Sequence, residues 1–113
     1  MGAERVATGP EKFSCSVSAA LVKLVNIASN KLDCRKNAAI RHLVDLALNN
    51  PDHPVTVQVS GALNQTCLMQ AEKGFFATTS AYRIKHALPN NKSAFLRDAL
   101  PRGASVFKET HPA

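Results

Sequence analysis

Lys12, Ser14 and Ser16 stand at every second position of Lys12-Phe-Ser-Cys-Ser-Val-Ser, and Thr56 and Gln58 do the same within Val55-Thr-Val-Gln-Val-Ser. An ammonium, three hydroxyls and a carboxamide spaced in this way put hydrogen-bond donors and acceptors in a row. None of them is a nucleophile beside a base, so the chemistry on offer is recognition of a polar partner. The rest of the chain agrees. His42, His53, His86 and His111 lack ligand spacing, the 8 acidic residues are scattered, and neither a Gly-rich phosphate loop nor a nucleophile elbow occurs. Catalysis, a cofactor and a metal are not expected. Cys15, Cys34 and Cys67 are odd in number and without C-x-x-C spacing, which argues against a disulfide framework and a zinc site. Cys15 and Cys67 fall among apolar residues and read as small buried hydrophobes rather than redox or metal groups.

The elements that must hold these residues follow from periodicity. Phe13, Cys15 and Val17 alternate with the polar residues, as Val55, Val57 and Val59 do, which is the period of a half-buried strand. Neither segment can bury its apolar face alone. The two are expected to pair with each other, or with copies in another chain. Met1 to Glu11 lacks periodicity and reads as a flexible lead-in, too polar for a signal peptide. Ser18 suits the N-cap of a helix over residues 19–31, with Leu21, Leu24, Val25, Ala28 and Leu32 on one face. A second helix is predicted over 35–48, ended by the breaker-rich linker Asn49 to Pro54. The order then begins again: a strand over 55–59, a helix over 62–73 closed by Gly74, and a helix over 77–88 stopped by Pro89. An offset of 42 carries Val17 onto Val59 and Ala39-Ile40-Arg41 onto Ala81-Tyr82-Arg83, which suggests an internal repeat of 12–50 over 54–90. A further helix is predicted over 92–100, packed outside the core, with 101–113 as a loose tail.

At 113 residues the chain makes one small domain, or two very small halves sharing a core. A formal net charge of +6 points to an anionic partner, most often nucleic acid and sometimes a membrane surface; a merely basic soluble protein is the bland alternative. No apolar run approaches the ~18 residues that a membrane helix needs. With three unpaired cysteines, a reducing cytoplasm fits.

A polar-faced strand, two helices and the basic turn in Cys34-Arg-Lys-Asn-Ala-Ala-Ile-Arg-His-Leu-Val resemble the ribbon-helix-helix family of DNA-binding proteins. The resemblance covers about Lys12 to Leu100. It implies a mainly α fold with a short two-stranded antiparallel ribbon, laid into the major groove of double-stranded DNA. With two units in one chain, the expected architecture is a tandem β-α-α-β-α-α pseudodimer plus a C-terminal helix, monomeric if the six-residue linker, at most ~20 Å long, suffices. On that pattern Lys12, Ser14, Ser16, Thr56 and Gln58 face base edges. The starts of the second helices, Arg35-Lys36-Asn37 and Thr78-Thr79-Ser80, anchor phosphates, where N–H groups and the dipole favour an anion. Two-unit relatives include conjugation accessory proteins, which implies a part in T-DNA or conjugative DNA processing with a relaxase as partner. A repressor or antitoxin is the competing DNA-binding expectation. A basic protein-interaction adapter is the expectation from another class.

Overall fold

In the computed structural model, residues 10–111 are described. Strand β1, Glu11–Val17, buries Phe13, Cys15 and Val17 and exposes Lys12, Ser14 and Ser16, as the alternation requires. Ser18 then caps α1, Ala19–Leu32, its hydroxyl accepting from the Leu21 N–H at 3.3 Å and donating to the Val59 carbonyl. Helix α1 buries Leu21, Val25 and Ala28 and stops at Asp33, whose φ of 53° is left-handed. Helix α2, Lys36–Asn49, buries Ala39, Ile40, Leu43, Val44 and Ala47. These three elements stand where the periodicity puts them.

Beyond residue 50 the molecule departs from the expectation. The valine-rich segment 55–59 is not a strand. It lies in the connection 50–64, with Val57 buried while the Thr56 and Val57 N–H groups donate to the Ser105 hydroxyl at 2.9 and 3.3 Å. The expected helix over 62–73 is instead strand β2, Gln65–Ala71, paired antiparallel with β1 so that Cys15 faces Cys67 and Ser14 faces Leu68. The single helix expected over 77–88 is two short ones, α3, Phe75–Thr78, and α4, Ser80–Lys85. The last helix, α5, Lys92–Thr110, runs through Pro101 and takes in most of the expected tail. It is not an outer helix: Phe95, Leu96, Ala99 and Leu100 are buried in the core, and so are Ala104, Val106 and Phe107 of the expected tail. Of the expected lead-in, residues 1–9 lie outside the described residues, and Glu11 belongs to β1.

The described residues thus run strand-helix-helix and then strand-helices-helix, with one two-stranded antiparallel sheet between them. Helices α2 and α5 pack on each other, α5 also packs on β1, and α2 on β2. Each half therefore covers the strand of the other. The α2–α5 crossing is close: a Cβ built on Gly103 would lie 1.8 Å from the Leu43 carbonyl oxygen, so only glycine fits. Phe13 brings the two halves together from above. Its ring lies 5.9 Å from those of Phe75 and Phe76 and 6.2 Å from that of Phe95, mostly edge-on. Among the described residues no buried side-chain polar atom lacks a hydrogen-bond partner.

Candidate nucleic-acid interface

The paired strands present one polar face. Lys12 stands opposite Gln70, Ser14 opposite Leu68 and Ser16 opposite Thr66, and all six side chains are exposed. The opposite face is the apolar lid of the core. A two-stranded ribbon hydrogen-bonded along its length, with a wet upper side and no carboxylate on it, is what the register produces from these residue types.

Helix starts flank the ribbon on both sides. At α2 the N-cap is Arg35, which makes no side-chain cap bond, and Arg35, Lys36 and Asn37 are all exposed. Asn37 lines a cleft of about 310 Å³ together with Lys12, Ser14, Leu68 and Gln70, so this helix start opens directly onto the outer ribbon face. At α5 the N-cap Asn91 accepts from the Ala94 N–H at 3.0 Å. Ser93 donates to the Ser14 carbonyl and Arg97 to the Ser16 carbonyl at 3.3 Å. These bonds satisfy the outer edge of β1, which would otherwise expose unpaired carbonyls. Lys92 lies 5.5 Å from the Phe13 ring.

The carboxylates nearest the ribbon are already engaged. Glu11 accepts from the Phe76 N–H at 2.9 Å and the Gly74 N–H at 3.1 Å, and the Phe76 bond above all holds its carboxyl below the usual glutamate range. Glu72 pairs with Arg41 at 2.8 Å, which likewise lowers its carboxyl. Arg41 also bonds Asp45 and stacks 4.1 Å over the Phe75 ring, so it braces the fold. Beneath the ribbon, burial pushes the Cys15 thiol up to about 11 and raises that of Cys67. Both are neutral, poor nucleophiles and poor metal ligands. Among the described residues no group of three His, Cys, Asp or Glu side chains could hold a metal ion.

Three of the expected ribbon residues, Lys12, Ser14 and Ser16, stand on the outer face. Thr56 and Gln58 do not: they are exposed in the connection 50–64, because β1 takes Gln65–Ala71 as its partner. Of the expected anchors, Arg35, Lys36 and Asn37 begin α2 beside the ribbon. Thr78, Thr79 and Ser80 sit instead at the α3–α4 junction. There Thr78 donates to the Phe75 carbonyl at 2.6 Å, and fully buried Thr79 donates to that of Phe76 at 2.7 Å. Their places are taken by Thr66, Leu68 and Gln70 on the ribbon and by Asn91, Lys92 and Ser93 at the helix start. One sequence signal points to the latter. Lys36-Asn37-Ala38-Ala39-Ile40-Arg41 recurs 56 positions on as Lys92-Ser93-Ala94-Phe95-Leu96-Arg97. Comparison with known proteins finds no family model, no curated protein and no solved structure that matches this chain.

Proposed function

We propose that this chain is a double-stranded DNA-binding protein built as a single-chain ribbon-helix-helix pseudodimer, with a binding rather than a catalytic role. The ribbon enters the major groove, ~12 Å wide and open to a two-stranded ribbon. Lys12, Ser14, Ser16, Thr66, Leu68 and Gln70 turn toward base edges, while Arg35, Lys36 and Asn37 at one helix start and Lys92 at the other meet phosphates. The observation that carries this reading is the exposed, acid-free outer ribbon face with a helix start on each side. The repeated strand-helix-helix order and the +6 charge support it. The resemblance extends the proposal to an accessory part in processing and transferring T-DNA or conjugative DNA, with a relaxase as protein partner.

A gel-shift titration with random and transfer-origin duplexes across salt tests it. Binding at low salt that falls steeply with rising salt is expected, because neutralised phosphates release their counterions. No shift of any duplex at low salt would sink the proposal and leave a basic adapter for an acidic protein.

A further inference from the structure

Leucine is out of place at the centre of the ribbon. Leu68 is 57% exposed, flanked on its own strand by exposed Thr66 and Gln70 and faced across the ladder by the short Ser14. Nothing in the fold asks for an apolar side chain there, since the core lies on the other face. Opposite a serine it stands proud of its neighbours. Gln70 lies two residues further along the same face, and its side chain makes no hydrogen bond to another described residue. Two residues of strand cover about 6.6 Å, close to two base-pair steps of about 3.4 Å.

We infer that Leu68 and Gln70 direct the ribbon to an A·T-containing centre, Leu68 packing on a thymine methyl and Gln70 bonding an adenine about two steps away. The inference rests on the DNA-binding reading above. The reason is chemical. Among the groups that bases show in the major groove, the thymine 5-methyl is the one apolar surface, and a carboxamide matches the N6 and N7 edge of adenine bidentately. Serine at the matching position of β1 offers neither, so the preferred site is not a palindrome.

The experiment uses the full chain and Leu68→Ala, whose exposed position leaves folding intact, as a melting curve checks. Each protein selects from a random duplex pool. The duplex that wild type selects is then remade with deoxyuridine in place of its central thymines, which removes only the methyl. Wild type is expected to enrich central A·T pairs and to bind the uracil duplex about fourfold more weakly, the worth of one buried methyl. Leu68→Ala is expected to be indifferent to the exchange. Equal loss in both proteins, no loss in wild type, or enrichment of a G·C centre would overturn the inference while leaving DNA binding intact. So would self-association of wild type that Leu68→Ala abolishes with base preference unchanged. Absence of all duplex binding would overturn both.

Discussion

The two halves run through the same order of elements but hold their first helices by different means. In the first, a local hydroxyl caps a 14-residue helix that continues without a break. In the second, Gly74 turns the chain at φ 89° and the helix comes as pieces of 4 and 6 residues. Pieces that short do not hold themselves in water. They are held by side chains instead, by Glu11 of the opposite strand at their start and by Arg83, from within α4, further on. Arg83 stacks 4.0 Å over the Phe76 ring and bonds the Phe76 carbonyl, the Thr79 hydroxyl and the Asn90 amide. The helix starts differ too. That of α2 is open, whereas that of α5 is bound to the edge of β1. One half is a self-capped unit with an exposed basic helix start, and the other is a braced unit whose polar groups are mostly committed. On the proposed DNA-binding reading, the two halves are expected to contribute unequally.

The largest expected effect is at the α2–α5 crossing. Gly103→Ala would place a methyl against the Leu43 backbone, which cannot yield as a flexible side-chain end does. A loss of about 3 kcal/mol is expected, which for a domain this small lowers the melting temperature by more than ~10 °C. The corresponding position on the other helix, Ala47, is buried, and Ala47→Gly should cost only about 1 kcal/mol. Thermal melts of both variants check this; if Gly103→Ala melts like wild type, the close approach is wrong.

The caps come next. Ser18→Ala removes both the Leu21 cap and the tie to Val59, and about 1–2 kcal/mol should go with them. Arg83→Ala should instead open α3 and α4 while α1 keeps its protection. Amide exchange read residue by residue separates the two outcomes, and uniform loss across both halves in either variant would show that the halves are not independently held.

The first half was legible in the sequence for a physical reason. Its strand, cap and two helices are set by local pattern, polar and apolar residues alternating and then recurring at helical spacing. The second half is set by what it packs against. Val55, Val57 and Val59 have the propensity and alternation of a strand, but β1 forms a ladder with one partner only. Gln65–Ala71 takes that place with Gln, Met and Ala, residues of little strand preference, because Cys67, Met69 and Ala71 complete the core face. Strand preference follows packing, and here packing overrode it. Pro101-Arg102-Gly103 reads as a helix stop for the same local reasons. Yet α5 continues, Pro101 forgoing one backbone bond while its carbonyl accepts from Ser105, and Gly103 serving the crossing. On the ribbon the β1 residues could be read and those of β2 could not, since Leu68 at an outward position breaks the polar alternation.

If the chain binds DNA as proposed, the open helix start should matter more to it than the bound one. Arg35→Ala combined with Lys36→Ala is expected to weaken binding to all duplexes alike, by ~10-fold, and to shallow the logarithmic salt slope by roughly 1 for each phosphate no longer neutralised. Lys92→Ala, beside an N-terminus already capped by Asn91, should weaken binding only about twofold. Equal effects would erase the asymmetry, and a change in base preference rather than overall affinity would mean that Arg35 and Lys36 touch bases.

The smallest effect is a pH dependence confined to one half. The Ser18 cap of α1 does not titrate. The start of α3 is held by Glu11, whose carboxyl is lowered first by the Phe76 N–H, then by the Gly74 N–H and nearby Lys92, against desolvation and repulsion from Glu72. A carboxyl with a depressed folded value stabilises fully above its unfolded value, ~4.3, and that contribution fades as the pH falls through the lower folded value. Acid should therefore loosen Gly74 to Thr78 before it affects α1. The amide proton shifts of Gly74 and Phe76 should titrate together with a midpoint below the ordinary glutamate value. Glu11→Gln should abolish that titration, leave the Leu21 amide unchanged, and flatten the acid side of the melting-temperature profile. Glu72 is lowered as well, by Arg41, so Glu72→Gln is the control; it should alter the melting profile without removing the Gly74 titration. If wild type and Glu11→Gln give parallel acid curves, Glu11 is a bystander and the second half is braced by its arginine and aromatic contacts alone.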